Sequence, residues 1–246
     1  MAVAVENPEI QPATIFIGGA GTVDRKTRYT SIGPFKSPLD IINGLHSEVT
    51  EGLYRCLGGH VVDEVIAPPN FGIGPPSLSH RLMKGILSKA IEKYDGRPIK
   101  LKGHSLGGYL ALEFAHEYPD LNIEVEAWAS PFGKVNGMPG VGYLFRERTN
   151  RIRKIREDMG DEAPRVTLLG SVGDRLIPPS SSLPDLPGVE RLVFTDRLES
   201  ALLMGVHPIL VENPPGHVGI LNHPDAMPLH KDTSNRPVLL SAVEII

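Results

Sequence analysis

The chain has 246 residues, 41% of them hydrophobic and 22% charged, enough apolar material for one domain with a substantial core. A formal net charge of −4 offers no basic field for nucleic acid. The single cysteine, Cys56, excludes an intrachain disulfide, and no apolar run is long enough to span a bilayer.

Residues 1–14 lack the positive start and long apolar centre of a signal peptide, so the chain as written is expected to be soluble and cytoplasmic, or secreted if a leader was removed. With 26 glycines and 23 prolines, many tight loops are expected.

The first predicted element is a short buried strand at 14–17 (Thr-Ile-Phe-Ile), ended by Gly18-Gly19-Ala20-Gly21. Glycines directly after a strand let backbone N–H groups face a ligand. A plain glycine turn is the simpler reading, and no Gly-Lys-Ser/Thr follows to make a phosphate loop. Residues 24–38 form a polar loop. Ser37-Pro38 then starts a helix through Ile41, Leu45, Val49, Leu53 and Leu57, which stops at Gly58-Gly59. Cys56 lies in that apolar pattern and reads as a small buried residue.

A second strand is predicted at 61–67. The proline-rich loop after it carries Phe71 and Ile73, which either line a pocket or close the core. A helix follows at 78–94, with Leu82, Ile86, Leu87 and Ala90 inward, and Gly96-Arg97-Pro98 turns the chain into the next strand.

Ile99, Leu101 and Gly103 alternate with Lys100 and Lys102, the period-2 pattern of a strand. Leu106, Leu110, Ala111 and Phe114 then recur at helical spacing. Ser105 sits between the two as Gly103-His104-Ser105-Leu106-Gly107, on a sharp strand-to-helix turn whose close neighbours must be small. Its hydroxyl is lifted to a helix N-terminus, where the Leu106 N–H and the helix dipole face a developing oxyanion. His104 is too close in sequence to serve as base for Ser105 and reads as an orienting or structural residue.

A strand is predicted at 123–129, and a charged helix at 144–159 with Phe145, Ile152, Ile155 and Met159 on one stripe. Arg146, Arg148, Arg151, Arg153, Lys154 and Arg156 fall on the other face, either simply solvated or meeting lipid or an acidic carrier. The run 165–171 is a buried parallel-strand pattern, followed by Gly173-Asp174. A carboxylate at a strand's C-terminal end can reach a histidine ring N–H and fix its tautomer, although Asp174 also suits an Asx-turn, and Asp185 and Asp196 are weaker candidates. A strand at 189–194, a brief helix at 198–204 and a strand at 209–212 come next. Then Gly216-His217 leads into an apolar helical start, with His207, His223 and His230 as rivals to His217. Residues 238–246 are apolar and suit a last helix or strand.

The run Gly-His-Ser-Leu-Gly-Gly at 103–108 resembles the nucleophile elbow of the α/β-hydrolase family, in particular its small lipases and esterases. The Asp174 and His217 loops resemble that family's acid and histidine loops, and Ser105, Asp174, His217 stand in the family's order. The resemblance implies one α/β domain over 1–246, with a mainly parallel sheet, helices on both faces and a cap or lid inserted at 130–162. It implies a carboxylic ester hydrolase, with acyl lipids among its substrates. Ser105 would be the nucleophile, His217 the base and Asp174 its partner. Leu106 N–H and, by analogy, Ala20 N–H would form the oxyanion hole, with Gly19 a near rival for the second. Gly19, Phe71 and Ile73 would touch substrate. The family's usual histidine before the first glycine is absent here, where Gly18-Gly19 stands in its place. A thioesterase or acyltransferase using the same triad is the alternative. No metal or cofactor pattern is found, no nucleic-acid partner is expected, and the expected partner is a small-molecule ester.

Overall fold

The computed structural model describes residues 11–19, 62–66, 76–94, 96–138 and 140–223. The expectations for Ala20, the polar loop at 24–38, the helix through Ile41 and Leu57, Cys56, Phe71, Ile73, His230 and the 238–246 tail lie outside them.

Among the described residues the strands are β1 (Ala13–Ile17), β2 (Glu64–Ile66), β3 (Ile99–His104), β4 (Ile123–Trp128), β5 (Val166–Ser171), β6 (Val189–Thr195) and β7 (His207–Leu210). The helices are α1 (Pro76–Glu92), α2 (Leu106–Glu117), α3 (Val141–Met159), a single turn α4 (Pro179–Ser182) and α5 (Leu198–Met204), with 3₁₀ turns at Gly160–Glu162 and Gly219–Asn222. The seven strands form one sheet in the order β2-β1-β3-β4-β5-β6-β7, and every neighbouring pair is parallel. The strand expected at 209–212 begins instead at His207 and pairs with β6 at the sheet edge, while β6 is the strand that joins β5.

One face of the sheet presents Ala13, Ile15, Ile17, Leu101, Val125 and Leu168, all buried against Met83 and Leu87 of α1, Leu110 and Phe114 of α2, and Phe145 and Ile152 of α3. Each of these side chains larger than alanine gains about 2 kcal/mol on leaving water. Phe132 and Val135, in the segment after β4, join this same core. The opposite face gathers a second cluster of Phe16, Trp128, Leu169, Leu192 and Phe194 with Ile220 and Leu221 of the last 3₁₀ turn.

Two sets of basic side chains are partly or wholly buried. The lysines of β3 do not face solvent: Lys100 and Lys102 are 7% and 4% exposed. Lys100 Nζ lies 3.1 Å from Glu124 and 3.2 Å from Glu126, and Lys102 Nζ 3.9 Å from Glu126. Burial lowers the Lys102 pKa. The period-2 pattern therefore marks two chemically different buried faces, since charge can be buried when it is paired. Nor is the basic face of α3 uniformly solvated. Arg148 bonds Glu113 of α2, and Arg156 is 2% exposed. The Arg156 guanidinium donates to the carbonyls of Pro164 and Pro187 and to Nε2 of His116, 3.0 Å away. His116 Nδ1 donates to the Leu112 carbonyl, which fixes its tautomer.

Candidate active site

The chain leaves β1 toward β2 on one side and leaves β3 toward β4 on the other, so the order reverses between β1 and β3. In open α/β sheets ligands bind in the crevice at the strand C-termini where this happens. Gly18 and Gly19 end β1 there, and Ser105 ends β3.

Ser105 has φ 54° and ψ −126°, a strained conformation for a non-glycine residue. The Ser105 N–H donates to the Trp128 carbonyl and the Ser105 carbonyl accepts from Gly108 N–H, so the turn is held from both sides. A Cβ on Gly107 would overlap the Ile17 and Gly18 carbonyl oxygens, and one on Gly103 would overlap the Gly108 backbone. The small neighbours let α2 press on β1 and β3. Gly19 is so close that an added Cβ would stand 2.9 Å from the Ser105 Cβ. Leu106 opens the twelve-residue α2, and its N–H belongs to the first turn, beside the serine.

Asp174 is 3% exposed. Its Oδ1 accepts from the N–H groups of Leu176 and Ile177, both at 2.9 Å. Its Oδ2 accepts from Nδ1 of His217 at 2.7 Å. The Asx-turn and the histidine contact are thus two halves of one carboxylate. A ring with Nδ1–H on a carboxylate presents the Nε2 lone pair outward. The acid and histidine loops are also joined through their backbones. Ser171 Oγ donates to the Pro215 carbonyl at 2.6 Å and accepts from Gly173 N–H, and a Cβ on Gly173 would overlap the Pro214 carbonyl.

His104 links this pair to the elbow. It is 4% exposed, its Nε2 lies 2.7 Å from the main-chain oxygen of His217, and the two rings are 4.7 Å apart at 47°. Ser105 and the His217 ring share no direct hydrogen bond in this structure; the imidazole against His217 is that of His104. Such contacts are often long before substrate binds. The rivals lie elsewhere. His223 packs on Phe194, His207 is exposed at the edge strand, Asp185 is exposed beside Arg191, and Asp196 is exposed beside Arg197. The sequence reading missed Ser171 and the His104–His217 contact. A serine ending the strand before the acid loop is a faint signal for the first, and nothing local signals the second.

Burial, and then the neighbouring His217, push His104 down to about 4; burial, and then Arg156, do the same to His116. Both rings are therefore neutral in the folded state where an unfolded chain would take up protons from about pH 6.5. Their contribution to stability is complete above that pH and is lost as the pH falls toward 4, on the order of 3 kcal/mol for each ring. Urea midpoints at pH 7.5 and 4.5 are expected to fall sharply, and His116→Gln, which keeps an acceptor for Arg156, is expected to flatten the fall. Equal midpoints in the native chain would contradict this.

Sheet order, elbow and acid–histidine pair together define the α/β-hydrolase fold. The structure is similar to the monoacylglycerol lipase of Paleococcus ferrophilus, at 15% identity and a TM-score of 0.42 over 74% of this chain and 83% of that one. It is similar to the 2-hydroxy-6-oxo-6-phenylhexa-2,4-dienoate hydrolase of Rhodococcus sp. RHA1, at 15% identity and 0.47 over 89% and 88%, and to a thermophilic esterase of Thermogutta terrifontis, at 13% identity and 0.41 over 87% and 85%. No family model and no curated protein matches the sequence. Among the described residues no helix is long and apolar enough to cross a membrane, and no group of three or more metal-ligating side chains is found.

Proposed function

We propose that the chain is a serine hydrolase of carboxylic esters. The observation that carries this reading is the 2.7 Å bond from His217 Nδ1 to the buried Asp174, made beside a strained serine at the sheet's topological switch point. His217 Nε2 accepts the Ser105 proton as Oγ attacks the ester carbonyl. The oxyanion takes hydrogen bonds from Leu106 N–H and from the loop that begins at Gly18, with Ala20 N–H the assigned second donor. His217 returns the proton to the departing alcohol. Water, deprotonated by His217, then cleaves the acyl-enzyme and frees Ser105. Each oxyanion donor contributes roughly 3 kcal/mol to the barrier reduction.

An apolar acyl group suits the rim. Val172 and Leu176 flank Asp174 and Val218 follows His217, all at least 37% exposed. Residues 130–162 are the assigned cap or lid. Exposed Arg146, Arg151 and Lys154 on α3 support a second reading, acyl transfer or thioester hydrolysis on a polyanionic carrier such as CoA. Purified protein is expected to turn over p-nitrophenyl esters, with a preference among acyl lengths from acetate to dodecanoate. Faster turnover of the matching acyl-CoA would select the second reading, and no turnover of either would overturn both.

A further inference from the structure

We infer that His104 is a positioning residue for the catalytic histidine, holding the main chain of His217 through a hydrogen bond from its Nε2. This rests on the proposed roles of Ser105 and His217.

A carbonyl oxygen only accepts, so the 2.7 Å contact to the His217 oxygen places the hydrogen on His104 Nε2. His104 cannot then offer that nitrogen as a base. Its other nitrogen, Nδ1, faces Gly19, 3.4 Å from where a Cβ there would stand. The ring is enclosed between the β1 loop and the histidine loop. It is sequence neighbour to the nucleophile, and its bonding partner is 113 residues away.

His217 therefore has two anchors with different effects. Asp174 takes the ring Nδ1–H and sets tautomer and tilt. His104 takes the main-chain oxygen and sets how far the whole residue stands from the elbow. Ser171 anchors the same loop two residues earlier, through Pro215. With only Asp174 and Ser171, the loop is tied to the end of β5; His104 ties it to β3, the strand that carries Ser105. In the sheet β3 and β5 are joined only through the one strand between them, β4, so without His104 the distance from base to nucleophile passes through a chain of loops. Reacting groups misplaced by about 1 Å lose on the order of a hundredfold in rate.

Length of side chain tests this. Glutamine places an N–H near the position of histidine Nε2, while asparagine reaches only as far as Nδ1. His104→Gln is expected to retain kcat for p-nitrophenyl butyrate within about threefold, and His104→Asn to lose roughly tenfold to a hundredfold, both with KM unchanged. The apparent pKa of the pH–rate profile is expected to persist in both, because His217 remains the base. Equal losses in the two variants, equal retention, or failure of both to fold would overturn the inference, as would a loss expressed in KM. Ser105→Ala in the same assay separates the two levels. Full activity in that variant refutes the reading of the site, whereas an inactive Ser105→Ala beside a fully active His104→Asn refutes only the role of His104.

Discussion

Replacing Asp174 with asparagine is expected to lower kcat for a p-nitrophenyl ester by about 10⁴-fold while the protein stays folded. The size of the effect follows from how completely the carboxylate is used. One oxygen accepts two backbone N–H groups and the other accepts the His217 ring. All three partners are donors, and an amide has one accepting end. If its oxygen faces Leu176 and Ile177, its NH₂ faces His217, and the ring must accept on Nδ1 and carry its proton on Nε2. That tautomer cannot take the Ser105 proton. If the amide is turned round, two backbone N–H groups confront an NH₂, and the 174–177 turn is lost. Asp174 is buried, so water offers no repair. A circular-dichroism melt beside the kinetic assay shows which orientation the amide takes. A loss smaller than about tenfold would mean that Asp174 does not govern the His217 tautomer.

Much of the sheet was legible because parallel strands buried on both faces carry short apolar runs between turn residues. The runs at 14–17 and 165–171 are of that kind and fall on β1 and β5. The helix expected at 198–204 matches α5, which closes on Gly205 in the left-handed conformation at φ 62°. Boundaries slipped where no terminator is written. α3 starts at Val141 rather than at 144, since Gly140 at φ 90° is its N-terminal neighbour and offers no side-chain cap to read. Strand β7 starts two residues early because His207 and Pro208 lack strand character and pair only through neighbours on β6.

The candidate site was legible in its residue types and in its order, not in its supports. Gly103-x-Ser105-x-Gly107 is local, and the requirement for small residues is a requirement on five consecutive positions. The contacts of Ser171 with Pro215 and of His104 with His217 join residues 44 and 113 apart. Beyond the faint signal of a serine ending the strand before the acid loop, one sequence holds no trace of such pairings. The same holds for Lys100 and Lys102, whose alternation with apolar residues marks a strand but gives no sign of their carboxylate partners on β4. The buried Arg156 was hidden for a similar reason: it binds carbonyls and a neutral imidazole, which no pattern of charges announces.

Ser105 and His217 are expected to fail together. The hydroxyl is a poor nucleophile without a base to take its proton, and in the acylation step the histidine only takes that proton and passes it to the departing alcohol. Ser105→Ala and His217→Ala are each expected to cost on the order of 10⁵-fold in kcat/KM, leaving the residual catalysis of the oxyanion donors and the substrate cleft. The measurement that addresses the coupling is a double-mutant cycle on p-nitrophenyl butyrate hydrolysis, using both single variants and the Ser105→Ala/His217→Ala pair. The expected result is that the pair is no slower than either single variant. Losses that multiply, or native turnover in Ser105→Ala, would show that the serine and the histidine do not work as one catalytic unit.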